Sequence, residues 1–450
     1  MEVANRACNL ECIKKGPPVE PVMEFVGPVK IVLVQPDERA YRRKTIGSGC
    51  IGLAYLMIGA TVMTVLFYTS TFKEKISINS HIFLCAVGYQ LCMPLAILLI
   101  SDLNGPSASM KLKDRKCQHL ILQIFGLMCS AGGSVIIILY KLAFTLHSIA
   151  GLAAGGFAFF GVITGIVAYA KKSKSSVPKI IHTIFGTSSF VAASLCFGTG
   201  VLKIKPKSGF VTSDFIYFLI FFCGFYTLIV VYGPIYKWIK FVGPIKVLVI
   251  ESKAEYCRTV WCFIGLGISQ VLMGATIMVI LLYSIATYDG HPVLYGLAYH
   301  FFSAEAILSL NYANGWTSPM RLRHRRFVHA FLQVCALSCA ITGTIILVVN
   351  GKGLSKSAHS ATGLITVALS VISLMTGPFA LLKRRCTKIV HMSFGIPTFL
   401  MSSVSICCSF VTPAFKNWTS PLVIYILTGF VVFYTTFIVV ASFMKCMMRI

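Results

Sequence analysis

The chain has 450 residues, of which 56% are hydrophobic and 12% charged, and it carries a formal net charge of +26. With a mean hydropathy of +0.81, it has too few charged groups to cover a globule of this size in water. The composition therefore excludes a soluble enzyme and places the chain in an apolar solvent. The charge has no soluble basic face to sit on, so nucleic acid is excluded as a partner too.

Residues 1–45 are mixed and charged, and no cleavable leader precedes the first apolar run, which is expected to act as its own insertion signal. The 17 cysteines follow no secreted disulfide spacing, and most lie inside apolar runs as small hydrophobes. The Cys8 and Cys12 pair has no second pair or histidine nearby and reads as a reduced tail.

A span needs about 20 apolar residues to cross the hydrocarbon. Twelve segments qualify: 46–70, 81–101, 117–140, 144–170, 180–202, 213–236, 259–286, 291–312, 327–349, 359–382, 388–412 and 420–444. The fold class expected is an all-α integral membrane protein with short connections between helices. With the N-terminus inside, cytosolic segments hold 31 of the 40 lysines and arginines and the opposite loops hold 9. Both termini are thus expected in the cytosol, and the positive charge is this topological bias. The sequon at Asn417-Trp418-Thr419 falls in an outward loop, in agreement.

The chain is internally duplicated. Phe25-Val26-Gly27-Pro28-Val29-Lys30 returns as Phe241-Val242-Gly243-Pro244-Ile245-Lys246, and Leu56-Met57-Ile58-Gly59-Ala60-Thr61 returns, one residue shorter, as Leu272-Met273-Gly274-Ala275-Thr276. Six spans per copy is an even number, so the copies are parallel repeats. The expected division is a cytosolic segment 1–45, a first core 46–236, a cytosolic linker 237–258 and a second core 259–444. The repeated FVGP segments are short, apolar and basic and read as interfacial anchors.

Eight of the ten histidines form two sets of four. His81, His119, His147 and His182 return as His291, His329, His359 and His391, offset by 210, 210, 212 and 209 residues. One such histidine alone would pass for a hydrogen-bonded structural residue; repetition of all four removes that reading. His300 and His324 are unmatched, and His324 reads as a solvated member of the Arg321–Arg326 cluster.

All eight lie near the N-terminal ends of spans two to five of their unit. Spans two and four begin on the outer side, three and five on the inner. The expected pairs are His81 with His147 and His291 with His359 outside, and His119 with His182 and His329 with His391 inside. Two facing imidazoles at matched depth suit six-coordinate haem iron and leave no open position for oxygen. Gly151, Gly186, Gly363 and Gly395 each follow a histidine by four residues, on the same helix face, where a missing side chain clears room for a porphyrin plane. Zinc would need further ligands, and carboxylates are nearly absent from the spans.

Each half resembles a cytochrome b561 core, and the resemblance covers nearly the whole chain in two tandem copies. It rests on Leu146-His147-Ser148 with Gly151, on Ala358-His359-Ser360 with Gly363, and on His119-x-x-x-Gln123 with His329-x-x-x-Gln333. His182-x-x-Phe185-Gly186-x-x-x-Phe190 and His391-x-x-Phe394-Gly395-x-x-x-Phe399 carry it further. The wide spacing of the first two histidines and the His291-Pro292 start resemble the shorter, domain-containing branch. The resemblance implies two six-helix cores with haem b on paired histidines, up to four haems per chain. It also implies cytosolic ascorbate as donor and ferric iron or monodehydroascorbate as acceptor, in a transmembrane reductase.

The basic motif that ascorbate-handling members carry at the inner end of helix two is absent, replaced by Ala96-Ile97-Leu98-Leu99-Ile100-Ser101. Cations come later, at Lys111, Lys113, Arg115 and Lys116 and at Arg321, Arg323, Arg325 and Arg326. They are either donor contacts or only the positive-inside signal. Outside, Lys203, Lys205 and Lys207 could steer an anionic acceptor.

The alternative is a twelve-helix secondary transporter with histidine proton relays and no haem. It predicts polar or charged groups near the midplane and a broken helix, whereas the paired histidines fall near helix ends and Glu305 is the only acidic residue within a span apart from Asp214 at the very start of one. A silent scaffold in which one copy lost its cofactor is the other alternative, and eight intact histidines give it no support.

Overall fold

The structure is a computed structural model that describes residues 22–26, 29–33, 38–71, 75–101, 103–104, 107, 110–140, 143–170, 177–203, 213–239, 246–249, 253–311, 314–350, 357–382 and 385–447. Cys8, Cys12, Lys205 and Lys207 lie outside them. The first half builds α1 (Glu38–Thr71), α2 (Ile76–Ile100), α3 (Leu112–Tyr140), α4 (Leu146–Ala170), α5 (Val177–Val201) and α6 (Ser213–Ile239). The second builds α7 (Lys253–Thr287), α8 (290–309), α9 (Leu322–Val349), α10 (Ala358–Ala380), α11 (Arg385–Phe410) and α12 (Pro421–Met447). Among the described residues, 11 helices are long and apolar enough to cross a bilayer. The one short of that measure is α8, which carries His291, His300 and Glu305 where α2 carries His81, Gln90 and Leu95.

Burial is highest where the halves meet. In α1 72% of the apolar window is buried and in α7 61%, against 6% in α10. The remaining helices turn Leu, Ile, Val and Phe outward, as a chain solvated by lipid does; its backbone groups are satisfied within the helices. A hydrophobic core runs along α1 and α7, joining Ala60, Met63 and Phe67 to Phe263, Met273 and Leu282.

The repeated Leu-Met-…-Gly-Ala-Thr motif marks the crossing of these two helices. A Cβ on Gly59 would stand 1.8 Å from the carbonyl oxygen of Val271, and one on Gly274 would stand 2.0 Å from that of Leu56. Each helix thus presses its glycine on the other's backbone. Reciprocal contact of this kind is what a two-fold relation between parallel repeats produces, and small residues permit it inside a membrane.

The swap continues at the N-terminal ends of both helices. Tyr41 of α1 reaches the second half, where its hydroxyl accepts the Arg321 N–H at 3.2 Å and meets His324 Nδ1 at 2.5 Å. The Arg321 guanidinium lies 4.8 Å over the Tyr41 ring and 3.5 Å from Glu38. Tyr256 of α7 reaches the first half in the same way. Its hydroxyl accepts the Lys111 N–H at 2.9 Å and donates to the Asp114 carboxylate, and the Lys111 ammonium lies 4.6 Å over its ring.

Three departures from the sequence reading stand out. The chain is not wholly helical: β1 (Val22–Val26), β2 (Val29–Leu33) and β3 (Lys246–Val249) form an antiparallel sheet in the order β1-β2-β3. The first FVGP segment thus forms a hairpin with Val26 opposite Val29, and β3, which starts at the last residue of the second copy, pairs with β2 so that Leu33 faces Lys246. Val22, Val26, Val29, Ile31 and Val32 supply the β-branched residues that favour the two strands. Second, α1 begins at Glu38, eight residues before the apolar run. Third, α2 and α8 both contain a π-helical stretch at matched positions, Ala86–Cys92 and Gly296–Ser303. The helix stays continuous through it, so the broken helix of the transporter reading is not seen among the described residues.

Substituting Leu at Gly59 or Gly274 is expected to force α1 and α7 apart, at a cost of about 1–3 kcal/mol or more. Gly267, with nothing within 4 Å of an added Cβ, is the control: Gly267→Ala should leave the thermal midpoint in detergent unchanged while Gly59→Leu lowers it. Equal midpoints would remove the glycine crossing as the element joining the halves.

Candidate metal centres

The structure brings together all four expected histidine pairs. Ring centroids lie 6.1 Å apart in His81–His147 and in His119–His182, 6.2 Å in His291–His359 and 6.1 Å in His329–His391. The planes cross at 90°, 82°, 81° and 86° respectively. Two metal–nitrogen bonds of about 2.0 Å, with about 1 Å from each nitrogen to its ring centre, sum to about 6 Å. Each gap therefore fits one iron atom between two imidazoles.

Every one of the eight rings is tied at Nδ1 to a backbone carbonyl. In the first half His81 meets Gly133 O at 2.9 Å, and His119, His147 and His182 meet Ala96 O, Cys196 O and Gly161 O at 2.8 Å. In the second half His291 meets Gly343 O at 3.2 Å and His329 meets Ala306 O at 2.8 Å. His359 meets Ser405 O and His391 meets Ser373 O, both at 3.0 Å. A carbonyl only accepts, so Nδ1 carries the proton and Nε2 is the nitrogen left to coordinate.

Each carbonyl belongs to a helix neighbouring the histidine's own. Along α4, His147 and the Gly161 carbonyl that holds His182 are 14 residues apart, roughly 21 Å at 1.5 Å per residue. Each half therefore stacks two sites across the thickness of a bilayer. Among the described residues no group of three or more His, Cys, Asp and Glu converges. Two axial nitrogens with no protein equatorial ligand match a haem, which brings its own four.

The second half has a cavity of about 400 Å³ between His291 and His359, lined also by Tyr299, His300, Gly363 and Phe410. Its size and apolar walls suit a large flat cofactor. The four clearance glycines divide. A Cβ on Gly186 would meet nothing within 4 Å, and Gly363 lines the cavity with Ser405 Oγ 3.6 Å away. Gly151 and Gly395 instead face Cys196 Sγ at 3.2 Å and Ser373 Oγ at 3.3 Å across the closely paired α4–α5 and α10–α11. Two glycines that the i+4 argument passed over stand against the rings themselves. A Cβ on Gly165 would lie 2.9 Å from His182 Cε1, and one on Gly200 would lie 2.9 Å from His147 Cε1.

Of the expected donor contacts, Lys113 and Arg323 are exposed, while Lys111 and Arg321 are exposed but engaged over the tyrosines. Arg115 is buried at 6% exposure and donates to the carbonyls of Leu99 at 2.9 Å and Ile100 at 2.6 Å, closing the C-terminal end of α2. It is a helix cap set apart from the surface cations. His300, unmatched in sequence, is buried with its Nδ1 2.7 Å from the Tyr434 hydroxyl. Gln90 stands at the corresponding place in the first half, 2.5 Å from the Tyr226 hydroxyl. The two tyrosines, 208 residues apart, were the signal for this pairing.

The sequence profile of the family described as eukaryotic cytochrome b561 matches residues 80–205 and again residues 290–416, the two stretches that hold the histidine pairs. The chain belongs to the cytochrome b561 family. It is similar to proteins named transmembrane reductase CYB561D2: 25% identical over 172 residues to that of Mus musculus, covering 35% of this chain and 78% of that one. The bovine protein, from Bos taurus, is 26% identical over 173 residues, 35% of this chain and 78% of its own, and the human one 25% over 169 residues, 35% and 76%. No solved structure matches the chain. Membership makes this a multi-pass integral membrane protein and implies transmembrane electron transfer through b-type haem, an oxidoreductase role.

Gly165→Val is expected to push His182 off the Gly161 carbonyl and give one haem fewer per chain than the parent protein. The pyridine haemochrome assay measures this directly, and an unchanged haem content would mean that the ring has room to move.

Proposed function

We propose that the chain is a double transmembrane electron carrier of twelve spans with both termini in the cytosol, built as two cytochrome b561 cores over residues 46–236 and 259–444. His81 with His147, His119 with His182, His291 with His359 and His329 with His391 would hold four haems as axial pairs, two per core. The donor is cytosolic ascorbate, and the acceptor on the opposite side is ferric iron or monodehydroascorbate. The single observation that carries this reading is the set of four facing pairs at 6.1–6.2 Å, each ring locked through Nδ1 to a carbonyl.

Haem held by these histidine pairs would supply a one-electron ferric/ferrous couple suited to electron transfer. The protein's part is to hold the ligands still. A carbonyl bond at Nδ1 fixes ring orientation and raises the basicity of Nε2, so little rearrangement accompanies a change of iron charge. Apolar helices exclude water from the path. Exposed Lys113 and Arg323, with Lys111 and Arg321 beside them, give the inner ends a positive field that draws an anionic donor.

The test is the reduced-minus-oxidised visible spectrum of the purified protein with its haem-to-protein ratio. Sharp low-spin b-type bands, reducible by ascorbate, with about four haems per chain are the expected result. Bands that respond only to dithionite would remove ascorbate as donor, and absence of haem would remove the reading. His147→Ala should lower the ratio to about three, because the first outer site alone loses a ligand; loss of every haem would mean that the halves load as one unit.

A further inference from the structure

The inner and outer sites of the two cores have diverged to different degrees. Around the inner histidines the residue whose carbonyl holds the second ring changes, Gly161 for His182 and Ser373 for His391, and other matched positions keep their chemistry. The carbonyls that anchor His119 and His329 belong to Ala96 and Ala306, and Gly165 beside His182 is matched by Gly377 beside His391. The exposed cations Lys111 and Lys113 are matched by Arg321 and Arg323.

Around the outer histidines the matched positions change. Cys196, with its thiol 3.4 Å from His147 Nδ1, is matched by Ser405, with its hydroxyl 3.3 Å from His359 Nδ1. Cys85 beside His81 is matched by Tyr295, whose ring centroid lies 4.6 Å from that of His291. Charge changes as well. Lys203 is exposed at the mouth of the first core, where its ammonium donates to Thr145 Oγ1 at 2.9 Å, two residues before His147; its counterpart is Thr412. The connection between α7 and α8, Tyr288-Asp289, carries no cation, whereas Lys75 is exposed at the start of α2. Asn79, four residues on, is matched by Asp289, whose carboxylate accepts the His291 N–H at 3.0 Å and lines the cavity between His291 and His359. Among the described residues of that lining Asp289 is the one carboxylate, and there is no lysine or arginine. Lys416, exposed on the neighbouring short helix, is not part of it.

We propose that the two cores draw on the same cytosolic donor but discharge to outer acceptors of opposite charge. The first core, through Lys75 and Lys203, delivers to small anions. The second, through Asp289 at the cavity mouth, delivers to a cationic metal ion such as ferric iron. In both, one electron passes outward for each one given by the donor, and ascorbate monoanion releases its O–H proton to the cytosol as it gives that electron. In the first core an organic radical anion takes up the electron and a proton from the outer solution, or an anionic ferric chelate takes up the electron alone; in the second Fe(III) becomes Fe(II). Charged groups lining a mouth raise the local concentration of an oppositely charged partner, an effect that salt screens. This inference rests on the electron-transfer reading above.

The experiment uses the full chain in vesicles that hold ascorbate, or dithionite where ascorbate leaves the haem oxidised, with one of two probes outside. Ferricyanide is the anionic probe and tris(phenanthroline)cobalt(III) the cationic one. Lys203→Thr and Asp289→Asn each install an uncharged residue that the matching or neighbouring chemistry tolerates, and both keep all eight histidines. At low ionic strength Lys203→Thr is expected to slow ferricyanide reduction by about 3- to 10-fold with the cobalt rate unchanged. Asp289→Asn should slow the cobalt complex by a similar factor with the ferricyanide rate unchanged, and both effects should vanish at about 1 M salt. Equal effects on both probes, or none, would overturn the proposal while the haem bands remain. Absence of haem bands would instead overturn the electron-transfer reading itself. Should either variant fail to incorporate, the parent protein with His359→Ala or His147→Ala, which disables one outer site at a time, must show the two probes served by different cores; one core serving both equally would overturn the proposal as well.

Discussion

Eight bonds from imidazole Nδ1 to main-chain carbonyls are the constraint on which the rest of this molecule depends. Each selects a tautomer, aims Nε2 and ties one helix to the next, so ligand geometry and bundle packing are one problem and not two. The carbonyl of Cys196 can hold His147 only if α4 and α5 lie close together. That closeness is why small residues such as Gly151 and Gly395 face a partner side chain at 3.2–3.3 Å. The same arrangement recurs in both halves, with Cys196 and Ser405 replacing each other at the same place because the bond uses the backbone and ignores the side chain.

This explains what could and could not be read beforehand. The four histidine pairs were legible because helix direction and depth follow from span order, and because duplication turned four ambiguous residues into eight consistent ones. Main-chain acceptors carry no residue identity, so no pattern announces Gly133 or Ala306. The i+4 rule located glycines on the histidine's own helix and found open space at Gly186, but the residues that touch the rings, Gly165 and Gly200, stand on the opposite helix, where sequence spacing has no reach. The π stretches were invisible for a related reason: one extra residue per turn alters phase without altering composition. They let α2 present His81 to one neighbour and Gln90 to another.

The third strand of the sheet and the tyrosine clasp were missed because they join segments more than 140 residues apart. Phe25-Val26-Gly27-Pro28 looked like a membrane-surface anchor when taken alone; Phe25 and Val26 pair with β2, and the strand beyond β2, Lys246–Val249, comes from the linker between halves. Tyr41 and Tyr256 looked like ordinary residues at helix starts. Both assume their meaning only when α1 and α7 cross at Gly59 and Gly274, which carries each tyrosine to the other half's basic helix end. Arg115 shows the reverse case, a residue grouped by charge with its neighbours that the fold turns inward to cap α2.

The interface between the halves is not a perfect mirror. Trp316 lies against Gly52 of α1, its Cβ 2.9 Å from where a Gly52 side chain would begin, and its indole donates to the buried Glu305 at 2.6 Å. Among the described residues, Gly267, at the place in α7 that corresponds to Gly52, has no such neighbour. In a homodimer every substitution is written twice, so a tryptophan that fits one side of a seam must fit the other. Joining two copies in one chain lifts that rule. It fixes the ratio of the halves at one to one and gives each its own mutational history, so a bulky residue can lock one flank of the crossing without a counterpart having to fit the other.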